Sequence, residues 1–350
     1  MKHIELTRAE SAALKGIAIL FIALHNFFHW LPFAVSENEY QYNYYKTYHM
    51  YEHVKQLSPN LFIDFFSYFG HYGVPVFVFL SGYGMVKKYE SGKPVPSFLK
   101  FTSYNFLKFW KLMILAYVLF FVADFYYHNY SVCSRWNVVD VLCNFTYIVN
   151  LLPNPDKNVY PGPYWYFSLT LQLYFFYYLL IMRTGRRVLS ISIVTSILLQ
   201  AVAMFYIDAP GQHDAIQYLR YNFVGSLLPF CMGVWMARYP IPFNRWMIIP
   251  AAGITVLCCF NALSWLAAPF FVVVMAVCFI KFVHPKGINA LAWLGALSSY
   301  VFVIHPSIRL FTIGWGKSGS PYLAALTYMA VTLVLAIGYK WLLSKVSKKK

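Results

Sequence analysis

Charge is what this sequence lacks. Of 350 residues only 11% are Asp, Glu, Lys or Arg, and only 12 are acidic, whereas soluble domains carry about 25% charged residues. That shortage excludes a water-soluble globular domain, because too few charged side chains exist to clothe its surface. Cysteine is sparse too. Of six residues, Cys231, Cys258, Cys259 and Cys278 sit inside apolar runs as small packing residues, so no disulfide framework is spelled out. Cys133 and Cys143 share one loop region, where pairing stays open because sequence does not fix the geometry. No internal repeat of the kind that marks many transporters is visible, and no second soluble domain. The start, MKHIELTRAESAALKG, lacks a cleavable signal-peptide pattern because the apolar run after it continues too long, so the first helix is expected to stay as a signal-anchor.

Apolar and aromatic residues are abundant: 60% of the chain is hydrophobic and 21% aromatic, with 30 Tyr and 32 Phe. The fold class that fits is an all-α, polytopic membrane protein. Runs near the span length fall at 11–33, 61–86, 104–127, 164–182, 188–207, 219–237, 247–265, 268–284, 290–313 and 322–343. These predict about ten transmembrane helices in a single domain, 1–350. Both termini are expected in the cytoplasm, with outer loops 34–60 and 128–163 and a basic tail at 344–350. In that topology 21 of the 28 Lys and Arg residues fall on or near the cytoplasmic side and 7 on the other, as the positive-inside rule requires. The formal charge of +16 therefore marks a membrane face, and no nucleic-acid partner is expected. A span at 138–152 would invert every later basic loop, so that stretch is read as interfacial or re-entrant. The outer segment SENEYQYNYYKTYHMYEH is dense in Tyr, suiting either an interfacial lid or contact with a substrate.

Polar groups in the spans are the functional candidates, since they are costly there. KGIAILFIALHNFFHW carries Lys15, His25, Asn26 and His29. At 1.5 Å per residue His25 lies roughly 20 Å from the inner end, in the outer half of the bilayer. His71, and His305 with Arg309 one turn beyond it, fall at similar depth, as do Tyr164 and Trp165 at the outer start of the fourth span. Packing or the interface suffices for Asn26 and His29. A zinc site would need a third ligand that nothing nearby supplies, so no metal is expected. Lys87, Lys88, Lys100, Lys108 and Lys111 cluster at the inner ends of the second and third spans, either as plain topology or as a phosphate-binding mouth.

Five stretches, in order, resemble acyltransferase family 3, integral-membrane O-acyltransferases that modify bacterial cell-surface glycans. KGIAILFIALH is similar to the opening helix, and GVPVFVFLSGYGM at 73–85 to the second-helix signature G-V-x-x-F-F-x-x-S-G-F. NFLKFWKLMILAY at 105–117, YWYFSLTLQLYFFYYLL at 164–180 and SSYVFVIHPSI at 298–308 resemble the third, fourth and late elements. The resemblance implies acyl transfer from cytoplasmic acyl-CoA, acetyl-CoA foremost, as co-substrate with no bound cofactor. It implies as acceptor a hydroxyl of an extracytoplasmic glycan or lipid-linked sugar, and a multi-pass location among the lipids of the bacterial inner membrane. His25 would be the catalytic base or relay. Lys15, Lys108, Lys111, Ser81 and Gly82 would face the donor, and His71, Tyr164, Trp165, His305 and Arg309 the acceptor side. Three departures mark a divergent subgroup. Leu14 stands where the family has Arg, with Lys15 rotated roughly 80° off the His25 face; Thr170 stands where it has Glu; and the third-helix basics are Lys. The competing class is a transporter whose intramembrane histidines bind solute or protons.

Overall fold

The computed structural model describes residues 5–92, 94–209 and 212–348, and every regular element among them is helical. The first helix, α1 (Arg8–Phe28), starts where the chain can satisfy its own first amides. The Thr7 hydroxyl accepts from Glu10 N at 3.1 Å, and the Glu10 carboxylate accepts from Thr7 N at 2.7 Å, a reciprocal cap. The same carboxylate lies 2.9 Å from Lys281 Nζ, tying the start of α1 to a distant part of the chain.

The segment after α1 leads into α2 (Tyr44–Lys55), capped by Asn43. The chain returns through α3 (Leu61–Phe69), a 3₁₀ turn at Gly70–Tyr72 and α4 (Gly73–Tyr89), which together form one apolar rod. Next come α5 (Phe98–Tyr127), then α6 (Val138–Thr146) and the single-turn α7 (Pro155–Asn158). Nine residues of α6, about 13.5 Å long, end at Tyr147 in the left-handed region, so 138–152 does not cross a membrane. Further along lie α8 (Trp165–Phe176), α9 (Arg186–Val202), α10 (Asp214–Tyr221) and α11 (Phe223–Arg238). The series closes with α12 (Ile248–Cys258), α13 (Ala262–Trp265), α14 (Ala268–Cys278), α15 (Ile288–Lys317) and α16 (Pro321–Lys348). π-helical turns prolong α8 to Ile181, α9 to Ile207 and α14 to Val283.

Among the described residues six helical segments are long and apolar enough to cross a membrane: Arg8–Phe28, Leu61–Tyr89, Phe98–Tyr127, Arg186–Ile207, Ile288–Lys317 and Pro321–Lys345. Phe223–Arg238, Arg245–Cys258 and Ala268–Val283 are shorter apolar helices. Helix length thus carries six of the ten expected spans. α1 and α15 run side by side and parallel because glycine lets their backbones touch. A Cβ on Gly16 would lie 2.0 Å from the Leu291 carbonyl oxygen, and one on Gly295 1.7 Å from that of Ala12. Small residues are the usual means of close helix approach where lipid gives no hydrophobic drive. α16 folds back along α15, so the start of α1 and the end of α16 share one end of the bundle. Tyr339 of α16 holds α5 by donating to the Leu112 carbonyl at 2.8 Å and accepting from Ala116 N at 3.2 Å.

Candidate active site

His25 is fixed from two directions. Gly70 lies against it so closely that a Cβ there would sit 2.6 Å from His25 Cβ and 2.7 Å from the Phe21 carbonyl oxygen. His25 Nδ1 lies 3.0 Å from the Ser67 carbonyl, an acceptor only, so Nδ1 carries the proton and donates. The lone pair is left on Nε2, the tautomer of a base. The neighbouring rings are imidazoles: His29 is 5.0 Å away and His71 5.8 Å away between centroids.

These three rings line a cavity of about 1030 Å³. On α5 alone its lining runs from Asn105 to Tyr127, about 33 Å along a helix axis, close to the thickness of a hydrocarbon core of about 30 Å. Lys15, Lys88, Asn105 and Lys108 line it toward the end where α1 starts, with Ser81 and Tyr174 between helices. Lys88 sits over the Tyr104 ring at 4.0 Å. Trp30, Arg135, Asp156, Arg309 and Lys317 line the opposite end. The cavity thus has a lysine-rich end and a histidine- and aromatic-rich end.

A loop builds much of the second end. Residues 35–40 fold back over α3 and α4 and are anchored at each step. Val35 N donates to Asp64 Oδ1 at 2.8 Å, and Asp64 also holds His53 of α2 at 2.8 Å. Glu37 Oε2 lies 3.0 Å from His71 Nε2, with both side chains buried. Asn38 Oδ1 accepts from the amides of Tyr40 and Gln41, and Arg220 Nε donates to the Glu39 carbonyl at 2.5 Å. The Tyr40 ring stacks flat on Tyr221 at 4.1 Å, and Trp165 meets both edge-on. Glu39, Tyr40, Trp165 and Tyr221 all line the cavity. Burial holds the Glu37 carboxyl well above the ordinary carboxylate range. Burial likewise raises Glu39 to about 7, against the pull of Arg220.

Of the residues singled out from sequence, the cavity gathers His25, Lys15, Lys108, Ser81, His71, Trp165 and Arg309. Arg309 donates to the Asn26 carbonyl at 3.1 Å and lies over Trp30 at 5.0 Å. Lys15 reaches the cavity despite its rotation from His25, because the space is wide enough for one helix to present more than a narrow stripe to it. Four residues are not brought there. Lys111 lies outside the lining. Gly82 packs against α11, where a Cβ would meet the Phe230 carbonyl oxygen at 2.2 Å. Tyr164 is buried and donates to the Val303 carbonyl at 2.9 Å, bracing α15 just before Pro306, which has no N–H to offer the preceding turn. His305 is fully buried, its Nδ1 3.2 Å from the Val301 carbonyl, between Phe302 and Tyr328. In the other direction, His29 lines the cavity beside His25 instead of only meeting the interface.

Cys133 and Cys143 are unpaired. Among the described residues no group of three or more His, Cys, Asp or Glu is placed to hold a metal ion. Sequence reading missed Glu37, Glu39 and Tyr40. Their only signal was a pair of acids in a Tyr-dense outer loop of a chain otherwise short of acids.

A family model described as an acyltransferase domain matches residues 9–341, nearly the whole chain. No curated protein and no solved structure matches it.

Proposed function

The chain belongs to this acyltransferase family, and from that premise we propose that it moves an acetyl group from cytoplasmic acetyl-CoA to a hydroxyl of an extracytoplasmic glycan or glycolipid. The observation that carries the reading is His25: a single-tautomer imidazole, its Nδ1 held on the Ser67 carbonyl, lining a cavity about as long as a bilayer is thick. In this reading the donor's phosphates rest among Lys15, Lys88 and Lys108, and the pantetheine arm brings the thioester up the cavity toward His25. The acceptor enters from the end lined by Trp165, Arg309 and Tyr40.

His25 Nε2 takes the proton of the acceptor hydroxyl as its oxygen attacks the thioester carbonyl carbon. The C–S bond breaks, the ester C–O bond remains, and the proton passes from His25 to the departing thiolate to give free CoA. Lining the site with apolar helices limits hydrolysis of the thioester. A neutral imidazole is suited to this work at neutral pH.

Reconstituted protein given acetyl-CoA and a glycan acceptor should release free CoA, and His25→Ala should abolish the release. Release that continues at the wild-type rate after the substitution refutes the assignment of His25. A cavity reaching toward both ends would also serve a permease, so solute flux into proteoliposomes without any CoA release would favour that reading instead.

A further inference from the structure

The anchored strap at 35–40 presents a carboxylate and an aromatic ring side by side to the cavity, a pairing that the acyl-transfer step itself does not require. Glu39 lines the cavity with Tyr40, and the Tyr40 ring is backed by Tyr221 and flanked by Trp165. A ring held this way cannot swing aside, and its carbon-rich face suits the C–H face of a sugar. The carboxylate offers only acceptors, which suits the O–H donors of neighbouring hydroxyls. The strap is not a loose lid: Asp64 of α3 and His71 of the following 3₁₀ turn hold it from one side and Arg220 of α10 from another. It is also joined to His25 through one carbonyl, since Ser67 O accepts from both His25 Nδ1 and Glu37 N. Beside the Glu37–His71 pair, Glu37 Oε1, His71 Nδ1 and Ser67 Oγ are buried without hydrogen-bond partners of their own.

We infer that Glu39 is an acceptor-binding residue, its carboxylate accepting hydrogen bonds from two adjacent hydroxyls of an uncharged sugar ring laid against Tyr40. The inference rests on the glycan-acyltransferase reading and narrows it to a neutral sugar with a free vicinal diol. Once ionised, the Glu39 carboxylate that lines the cavity disfavours an anionic ring laid against it through like-charge contact.

The test uses the full-length protein in proteoliposomes with acetyl-CoA and three probes: methyl glucoside, methyl mannoside and methyl glucuronide, read by CoA release. The wild type should turn over the neutral glycosides in preference to the glucuronide. Glu39→Gln, which keeps size and fold, should raise the KM for the neutral glycosides about 10- to 100-fold, the effect of losing a hydrogen bond to a charged group. The KM for acetyl-CoA should stay unchanged, and Glu39→Asp should recover part of the loss. An unchanged acceptor KM in Glu39→Gln, an equal rise in both KM values, or a wild-type preference for the glucuronide overturns the inference while leaving the acyltransferase reading standing. No CoA release by the wild type with any glycoside overturns the glycan reading, and this inference with it.

Discussion

Lys15, Lys88 and Lys108 at one end of the cavity sit on three long helices, α1, α4 and α5. Glu39 and Tyr40 at the other end sit on a loop that reaches the cavity only because Asp64, His71 and Arg220 hold it. The first end is made of secondary structure and composition, the second of tertiary contacts. The comparison teaches where precision is concentrated. A flexible lysine can follow a phosphate from several positions, so its end tolerates small shifts. A base and an acceptor hydroxyl must meet at hydrogen-bond distance, and that end is tied at every turn.

The comparison can be broken most sharply at His25. His25→Ala should lower CoA release about 10²- to 10⁴-fold, the range for losing a general base, with protein yield and size-exclusion profile unchanged. Gly70→Val comes next, because its side chain must invade the space of His25 Cβ and the Phe21 carbonyl. A displacement near 1 Å costs about 10²-fold, so kcat should fall by that order while the KM for acetyl-CoA holds steady. A fall confined to the donor KM would show that the two ends are not separate.

At the lysine end, Lys108→Ala should raise the KM for acetyl-CoA about tenfold, within the range for a hydrogen bond to a charged group, and leave the acceptor KM alone. Steady-state kinetics with each substrate varied in turn would read this directly. The pH profile gives a subtler test. Glu39 is raised to about 7 by burial, and the groups facing it are Arg220, Tyr40, Tyr221 and Glu37. As pH falls through about 7 its carboxylate gains a proton and loses half its accepting capacity. The acceptor KM should therefore rise toward acid pH and level off above about 8, and the step should vanish in Glu39→Gln. The smallest effect is expected at Lys111→Ala: this residue lies off the cavity, so both KM values should stay within about twofold, as for a surface change.

Much of the lysine end was legible. Hydropathy placed the helices that carry Lys15, Ser81 and Lys108, and topology alone put those lysines at one depth. His25 was legible too, because an imidazole in an apolar helix is conspicuous. Depth, however, does not tell which way a side chain faces. His305 and Tyr164 lie at the expected level, yet point into packing against Tyr328 and Val303. Thr170 standing where the family has Glu left position 170 without a carboxylate partner for His25. Thr170 does line the cavity, its hydroxyl donating to the Tyr166 carbonyl at 2.6 Å, and the acids that line it are Glu39 and Asp156.

The sequence alone determined the solvent this chain prefers, its helical class, its family and the single histidine most worth testing. Each follows from composition, local periodicity or a motif contained within one helix. Tertiary structure decided which residues share the cavity and that the strap at 35–40 brings Glu39 and Tyr40 to it. Those facts depend on contacts between segments far apart in the chain, such as Glu39 with Arg220 and His25 with Ser67. No local pattern encodes them, because hydrophobic patterning fixes how each helix meets lipid or its neighbours but leaves open where a polar loop finds its partners.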